Sequence, residues 1–286
     1  MNSKTLFHDL VSRITLDESP GEIHSILYLL LEKQSGLTKA DIIAEKPVEI
    51  TPLSKDVLIS SIDRLNQHEP IQYILGECEF YGRKFQITPA VLIPRPETEE
   101  LIRTILHYYR NKKKSLRILD IGTGSGCIPV TLALELKGST VFATDISRGA
   151  LELARKNAEK SAAVVQFYEH NILSEDIPLQ ELDLIVSNPP YITQQEKESM
   201  KDNVLQYEPH LALFVPENDP LIFYGTILAR GRKALNPGGM IIVEINERYG
   251  DAVVKLFREH NFSSATIGKD ISGKERIAYG FMLLPG

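Results

Sequence analysis

Four consecutive residues, Asn188-Pro189-Pro190-Tyr191, carry the most specific chemistry in this 286-residue chain. The Asn188 side chain offers an oxygen acceptor, and the Pro189 carbonyl offers a second. Pro190 contributes no N–H and restricts the residue before it, which holds that carbonyl in place. Two fixed acceptors can orient an NH2 group and aim the lone pair of a planar amide-type nitrogen at an electrophile. Tyr191 adds an aromatic face for a planar group and for passing positive charge. Orientation and preorganised electrostatics would then supply most of the acceleration. Without any chemistry, the same tetrapeptide is a strand followed by a Pro-rich turn, since Asn before Pro starts turns.

A second constellation lies upstream. Asp120-Ile121-Gly122-Thr123-Gly124-Ser125-Gly126 ends one apolar run and opens a helical one. Glycines there permit a tight turn and a close ligand approach. A dinucleotide fingerprint needs its third glycine where Cys127 stands, so the G-x-G-x-G spacing speaks against a pyrophosphate site. Asp145 ends the next strand, about twenty residues on, where a carboxylate can take both hydroxyls of a ribose. It can equally cap the helix that begins near Ser147. Together the loop and the acid imply an adenosine ligand without phosphate, which S-adenosylmethionine offers. Asp120 either faces that ligand's ammonium or sulfonium, or holds the glycine loop by accepting backbone N–H groups.

These residues need a scaffold that brings strand ends together. From Leu116 onward, short apolar runs alternate with helical segments. Runs at Arg117 to Ile121, Thr140 to Thr144, Val164 to Tyr168, Leu182 to Ser187 and Met240 to Ile245 read as buried parallel strands. Helices are expected near 125–136, 147–160, 219–235 and 248–260, with further strands around 263–268 and 276–284. That is a doubly wound α/β sheet, which binds ligands outside its carboxyl strand ends. Cys78, Phe80, Phe85 and Ile87 flank Tyr81-Gly82-Arg83-Lys84 as a β-hairpin. Two prolines stiffen Ile93-Pro94-Arg95-Pro96, and a helix is expected from Glu97 to about Tyr109.

The first 75 residues read as a small helical domain. Leu6, Leu10 and Ile14, then Ile23, Ile26, Leu27, Leu30 and Leu31, recur at helical spacing. Ser19-Pro20 marks a start and Ser35-Gly36 a stop. A further helix is expected from Ser54 to Gln67 with Val57, Leu58, Ser61 and Leu65 inward. The expected division is 1–75 helical, 76–96 hairpin and Pro-rich linker, and 97–286 the α/β domain.

Composition narrows the partners. The net charge of -6 and the absence of a broad basic face favour a protein substrate over bare nucleic acid. The tight basic run Lys112-Lys113-Lys114 reads as a solvated linker. Two cysteines, Cys78 and Cys127, make neither a metal spacing nor a disulfide framework and suit a reducing cytosol. No stretch reaches the ~18 apolar residues of a membrane span. A cytoplasmic monomer without metal is expected.

The segments DIGTGSG, ATDIS and SNPPYI resemble the class I amino-methyltransferases, which act on adenine N6, cytosine N4 or glutamine N5. EPIQYILG (Glu69 to Gly76), FYGRKFQI, VLIPRPETEEL (Val91 to Leu101) and ALNPGGMIIVEI (Ala234 to Ile245) resemble the bacterial release-factor glutamine methyltransferases of the HemK/PrmC family. This resemblance spans essentially the whole chain. It implies a class I S-adenosylmethionine-dependent methyltransferase sheet, with S-adenosyl-L-methionine as cofactor. It places Gly122, Thr123, Gly124, Ser125 and Gly126 along the cofactor, Asp145 on the ribose and Asn171 near the adenine. Asn188 would stand between cofactor and substrate, with Asn188 to Tyr191 holding the glutamine amide and Arg95 touching substrate backbone. The Pro94 to Glu99 run would border the site. The helical domain would help recognise class 1 peptide chain release factors, whose Gly-Gly-Gln glutamine is the implied target. Asn171-Ile172 departs from the family's usual Asp-aromatic pair, and Phe214 to Pro220 replaces a Gly-rich segment. Methylation of nucleic acid at adenine N6, and a binding module with an inactive site, stand as alternatives.

Overall fold

The computed structural model describes residues 1–49, 51–111 and 115–284. The Lys112-Lys113-Lys114 run lies outside them. The chain divides into two units: Met1–Glu77 with Lys201–Tyr207, and Cys78–Met200 with Glu208–Gly286.

The first unit is helical, with α1 (Ser3–Val11), α2 (Pro20–Ser35), α3 (Lys39–Ile43), α4 (Pro52–Asn66) and α5 (Ile71–Leu75). Local chemistry sets the boundaries. Ser19 caps α2 by accepting from the Glu22 N–H, Pro20 occupies its first turn, and Gly36 ends it at φ 71°. Leu6 and Leu10 of α1, Leu27, Leu30 and Leu31 of α2, and Leu58, Ile62 and Leu65 of α4 share one core. Val57 departs from expectation. It is 45% exposed, because the buried stripe of α4 runs through Leu58, Ser61, Ile62 and Leu65 at helical spacing and leaves Val57 beside it.

The expected hairpin starts at the boundary, with all but Glu77 in the second unit. β1 (Glu77–Phe80) and β2 (Arg83–Gln86) meet at Tyr81 and Gly82, which take φ 51° and 68°. A short 3-10 turn at Pro96–Thr98 leads into α6 (Glu99–Tyr109). Alternation then follows: β3 (Arg117–Ile121), α7 (Cys127–Glu135), β4 (Thr140–Asp145), α8 (Arg148–Lys160), β5 (Val165–Glu169) and β6 (Leu182–Ser187). After β6 come α9 (Asp202–Tyr207), α10 (His210–Leu213), α11 (Ile222–Ala234), β7 (Leu235–Glu244), α12 (Gly250–Glu259), β8 (Phe262–Lys269) and β9 (Glu275–Met282). Of these, α9 belongs to the helical unit. There the Tyr207 hydroxyl donates to the Gln67 carbonyl at 2.8 Å and Lys201 pairs with Glu18 at 2.9 Å.

Seven strands form one sheet in the order β5-β4-β3-β6-β7-β9-β8. The five from β3 to β7 run parallel, and β9 pairs antiparallel with both β7 and β8. The order reverses between β3 and β6, the switch point where such sheets open a crevice. Register aligns Ile121 with Thr144 on one side and with Ser187 on the other. The expectation of a buried strand near Val164 to Tyr168 is corrected: β5 is the sheet edge, and Val164 is 83% exposed. An edge strand has only one neighbour to cover it.

Two close approaches hold the glycine loop on this scaffold. Buried Asn157 of α8 accepts from the Gln86 N–H at 2.8 Å, and its amide donates to the Gln86 carbonyl at 2.9 Å and the Ser125 carbonyl at 2.8 Å. One side chain thereby ties the hairpin to the loop. Gly126 turns into α7 at φ 79°, and a Cβ there would stand 2.9 Å from the Ala154 Cβ. Gly126→Ala combines a left-handed backbone with a clash, so it is expected to cost about 2 kcal/mol. A urea denaturation midpoint equal to that of the unsubstituted chain would contradict this packing.

Candidate active site

The carboxyl ends of β3, β4 and β6 open onto a cavity of about 620 Å³ within the second unit. That volume suits a nucleoside-sized ligand together with part of a substrate. Its walls come from five places: the glycine loop from Gly122 to Ser125; Asp145, Ile146 and Ser147 after β4; and His170 to Leu173 after β5. The remaining walls are Ser187 to Pro190 after β6 and the Ala90 to Thr98 stretch, including Pro94, Arg95 and Thr98. Leu211, Phe223 and Ile227 add an apolar side. The structure thus brings Gly122, Thr123, Gly124, Ser125, Asp145, Asn171, Asn188, Pro189, Pro190 and Arg95 to one cavity. Gly126 and Tyr191 do not line it.

The glycine loop is largely self-satisfied. The Gly122 and Thr123 N–H groups both donate to the Thr144 carbonyl at 2.9 Å, and Gly126 N–H donates to the Thr123 carbonyl at 2.9 Å. Gly124 N–H donates to one oxygen of Asp145 at 2.8 Å, while Ser147 N–H donates to the other at 2.9 Å. Four loop amides are therefore already spent, which leaves a poor cradle for a phosphate. Asp145 does hold the helix-entry turn, as the simpler reading proposed. Each of its oxygens keeps a further lone pair. Burial raises its pKa, and the Ser147, Gly124 and Ile146 N–H groups oppose that rise.

Beneath the loop, Asp120 is fully buried and neither carboxylate oxygen meets a donor in bonding geometry. Burial pushes its carboxyl up to about 7; the neighbouring Thr123 hydroxyl pulls it back in part, and the Asp145 charge adds to the rise. Cys127 is buried at the start of α7, where burial pushes its thiol up and keeps it inert.

Around Asn188 the contacts are polar and buried. Its amide nitrogen donates to the Thr98 hydroxyl at 3.2 Å, and Thr98 donates to Glu244 at 2.6 Å. The Tyr191 hydroxyl donates to the second Glu244 oxygen at 2.9 Å, so the ring is anchored beneath the cavity. Burial raises the pKa of Glu244, while the Thr98 and Tyr191 hydroxyls and the Arg276 charge favour its ionised form. Arg95 pairs with Glu208, whose second oxygen accepts from the Ile93 N–H at 3.2 Å. Asn171 accepts from the Leu173 N–H at 2.9 Å, and Ile172 packs into the sheet core.

Comparison with known proteins adds a name to this geometry. Residues 12–76 match the PrmC N-terminal domain family, and residues 100–209 match the methyltransferase small domain family. The chain is 41% identical over 278 residues to the release factor glutamine methyltransferase of Flavobacterium psychrophilum, covering 96% of each chain. It is 44% identical over 259 residues to that of Bacteroides thetaiotaomicron, covering 90% of this chain and 92% of the other. The chain belongs to the release factor glutamine methyltransferase family. Among solved structures, a methyltransferase from Pyrococcus furiosus aligns with a TM-score of 0.52 at 20% identity, over 72% of this chain and 91% of that one. The hMettl16 catalytic domain aligns with a TM-score of 0.57 at 15% identity, over 84% of each. Those two likenesses speak to the fold alone. Nucleic acid as the acceptor is not favoured.

S-adenosylmethionine is the family's cofactor, and the residues present fit it. The loop has few amides left for phosphate, Asp145 brings a carboxylate to the cavity with acceptor capacity for hydroxyls, and Ile146 and Ile172 line it with apolar surface. Among the described residues, no group of three or more His, Cys, Asp or Glu could hold a metal ion. Thr98, Glu244, Glu208 and Asn157 escaped the reading of the sequence as participants with individual roles. Only Thr98 carried a signal, as part of the Pro94 to Glu99 run.

Asp120 gives a pH test. Its folded pKa of about 7 lies above the ordinary 3.8, so between those values the native state holds a proton that the unfolded chain has released. Its stabilising contribution is full below about pH 4 and is lost as pH rises to about 7, on the order of 4 kcal/mol. Asp120→Asn is expected to flatten this part of the stability profile in urea titrations. A slope matching the unsubstituted chain would show that Asp120 titrates normally.

Proposed function

We propose that the chain transfers the sulfonium methyl of S-adenosylmethionine to the side-chain amide nitrogen, N5, of the glutamine in the Gly-Gly-Gln loop of class 1 release factors. The carrying observation is that one cavity is walled by the glycine loop and Asp145 on one side and by Asn188 to Pro190 on the other. The family's relatives bear the matching name. We place the reaction in the cytoplasm, with the enzyme as a monomer. No helix among the described residues is long and apolar enough to cross a membrane.

Bound there, the cofactor supplies an electrophilic methyl and needs no activation by a metal. Gly122 to Ser125 would border it, Asp145 would take its ribose hydroxyls on the lone pairs left free by Gly124 and Ser147, and Asn171 would border its base. The acceptor is the harder partner, because an amide nitrogen delocalises its lone pair into the carbonyl. The Asn188 side-chain oxygen and the Pro189 carbonyl accept its two N–H bonds. This fixes the amide plane and favours the charge that develops on nitrogen as it takes the methyl; one of its two N–H protons is then released to water. Pro190 keeps the Pro189 carbonyl in position. Tyr191 contributes from below by bracing this turn through Glu244, rather than by offering its ring face to the cavity. Arg95, held by Glu208, reaches the cavity wall where the peptide flanking the glutamine would lie. The helical unit recognises the body of the release factor.

Purified protein is incubated with methyl-labelled S-adenosylmethionine and an unmethylated release factor, beside a Gly-Gly-Gln glutamine-to-alanine control and a bare DNA duplex. Label on the release factor that disappears in the control is expected. Label on the duplex instead would overturn the substrate. Asn188→Ala is expected to lower kcat by roughly 10²- to 10³-fold with only a small change in cofactor Kd. Turnover at the unsubstituted rate would remove Asn188 from the mechanism. Asp145→Ala should raise cofactor Kd by about 30-fold, on the order of 2 kcal/mol of lost charge-assisted bonds. Calorimetry giving an unchanged Kd would leave Asp145 as a helix-entry residue only.

A further inference from the structure

A chain of three side chains, Glu244 and Thr98 buried and Asn188 half-buried, runs from the sheet to the catalytic turn. Glu244 ends β7 and is 2% exposed. It accepts the hydroxyls of Thr98 at 2.6 Å and Tyr191 at 2.9 Å, one on each oxygen. Thr98 is also buried and accepts from the Asn188 amide nitrogen at 3.2 Å. The chain lies wholly within the second unit and reaches the cavity at Thr98 and Asn188.

Each link has a direction. A threonine hydroxyl has one proton to donate. Thr98 donates that proton to Glu244 at 2.6 Å, the direction a carboxylate oxygen accepting from it requires. The Thr98 oxygen is then left as an acceptor, and the Asn188 amide must turn its NH2 toward it. That turns the Asn188 oxygen away from Thr98, and Asn188 itself lines the cavity, where the oxygen can serve as an acceptor. With the amide reversed, Asn188 would present two donors to a substrate NH2 that is itself a donor. The two would repel, and orientation of the glutamine would be lost. A buried carboxylate is costly to keep unless its charge is used or satisfied, and here both oxygens have hydroxyl donors.

We infer that Glu244, acting through the Thr98 hydroxyl, is a positioning residue that sets which face of the Asn188 amide meets the substrate glutamine. Glu244 does not line the cavity, so the relay is expected to govern substrate orientation rather than cofactor binding. This rests on Asn188 being the acceptor for the substrate amide, as proposed above.

Glu244→Gln keeps size and polarity and removes the charge. One end of the new amide is a donor, so one of the two hydroxyls loses its acceptor. Thr98→Val keeps size and breaks the relay, whereas Thr98→Ser restores the hydroxyl. Turnover on an unmethylated release factor, cofactor Kd by calorimetry and thermal midpoint are measured for these variants, for Asn188→Ala and for the double variant Asn188→Ala with Glu244→Gln. Glu244→Gln and Thr98→Val are expected to lower kcat by on the order of ten- to a hundred-fold, with KM moving less and cofactor Kd unchanged. Thr98→Ser should recover most of what Thr98→Val loses. The double variant should be no slower than Asn188→Ala, because Glu244 has nothing left to orient. Independent losses that multiply in the double variant would overturn the relay, as would full turnover by a folded Glu244→Gln enzyme. If Asn188→Ala itself turns over normally, the reading of Asn188 fails and the relay falls with it. If Asn188→Ala is slow while Glu244→Gln is normal, the relay alone fails.

Discussion

The parallel register of β3, β4 and β6 is the constraint on which the site depends. It sets Ile121, Thr144 and Ser187 side by side at the carboxyl edge of the sheet. From that line the Thr144 carbonyl collects two loop amides, Asp145 collects a third, and the Ser187 hydroxyl donates to the Ile121 carbonyl at 2.7 Å. A slip of one residue in any of these strands would turn its side chains to the other face and misplace both the loop and the catalytic turn. The loop's shape is therefore set by strand pairing before any ligand arrives, in keeping with a site largely formed in advance.

Much of the polar chemistry is buried and satisfied internally rather than displayed. Asn157 spends both ends of its amide on two backbone segments, and Glu244 spends both oxygens on two hydroxyls. Such groups are expensive when half satisfied and rigid when fully satisfied. Asp120 departs from this pattern, with two buried oxygens beneath the loop and no donor in bonding geometry.

The sequence made legible whatever is local. Strand-to-helix alternation, the caps of α2 and the turn at Tyr81-Gly82 all follow from neighbours in the chain. Asn188 and Asp145 stand out because each ends a strand and each belongs to a short run of unusual composition. The supporting contacts were not legible. Thr98 meets Glu244 across 146 positions and Asn188 across 90, and Asn157 meets Gln86 across 71. No periodicity connects such residues, and a glutamate closing an apolar strand looks like any polar strand end. Tyr191 shows the same limit: its type suggested a stacking face, while its surroundings give it an anchored hydroxyl.

The helical unit is discontinuous, closing on Lys201–Tyr207 as well as on the first 77 residues. Glu208, the residue after this excursion, is the one that holds Arg95. Modular exchange between relatives is constrained accordingly. A recognition module transplanted as one N-terminal block would arrive without its last helix, and the host's own α9 would face a surface it had not evolved with. The two segments must therefore drift together, so that sequence change in the first 77 residues is paced by a heptapeptide more than a hundred positions away.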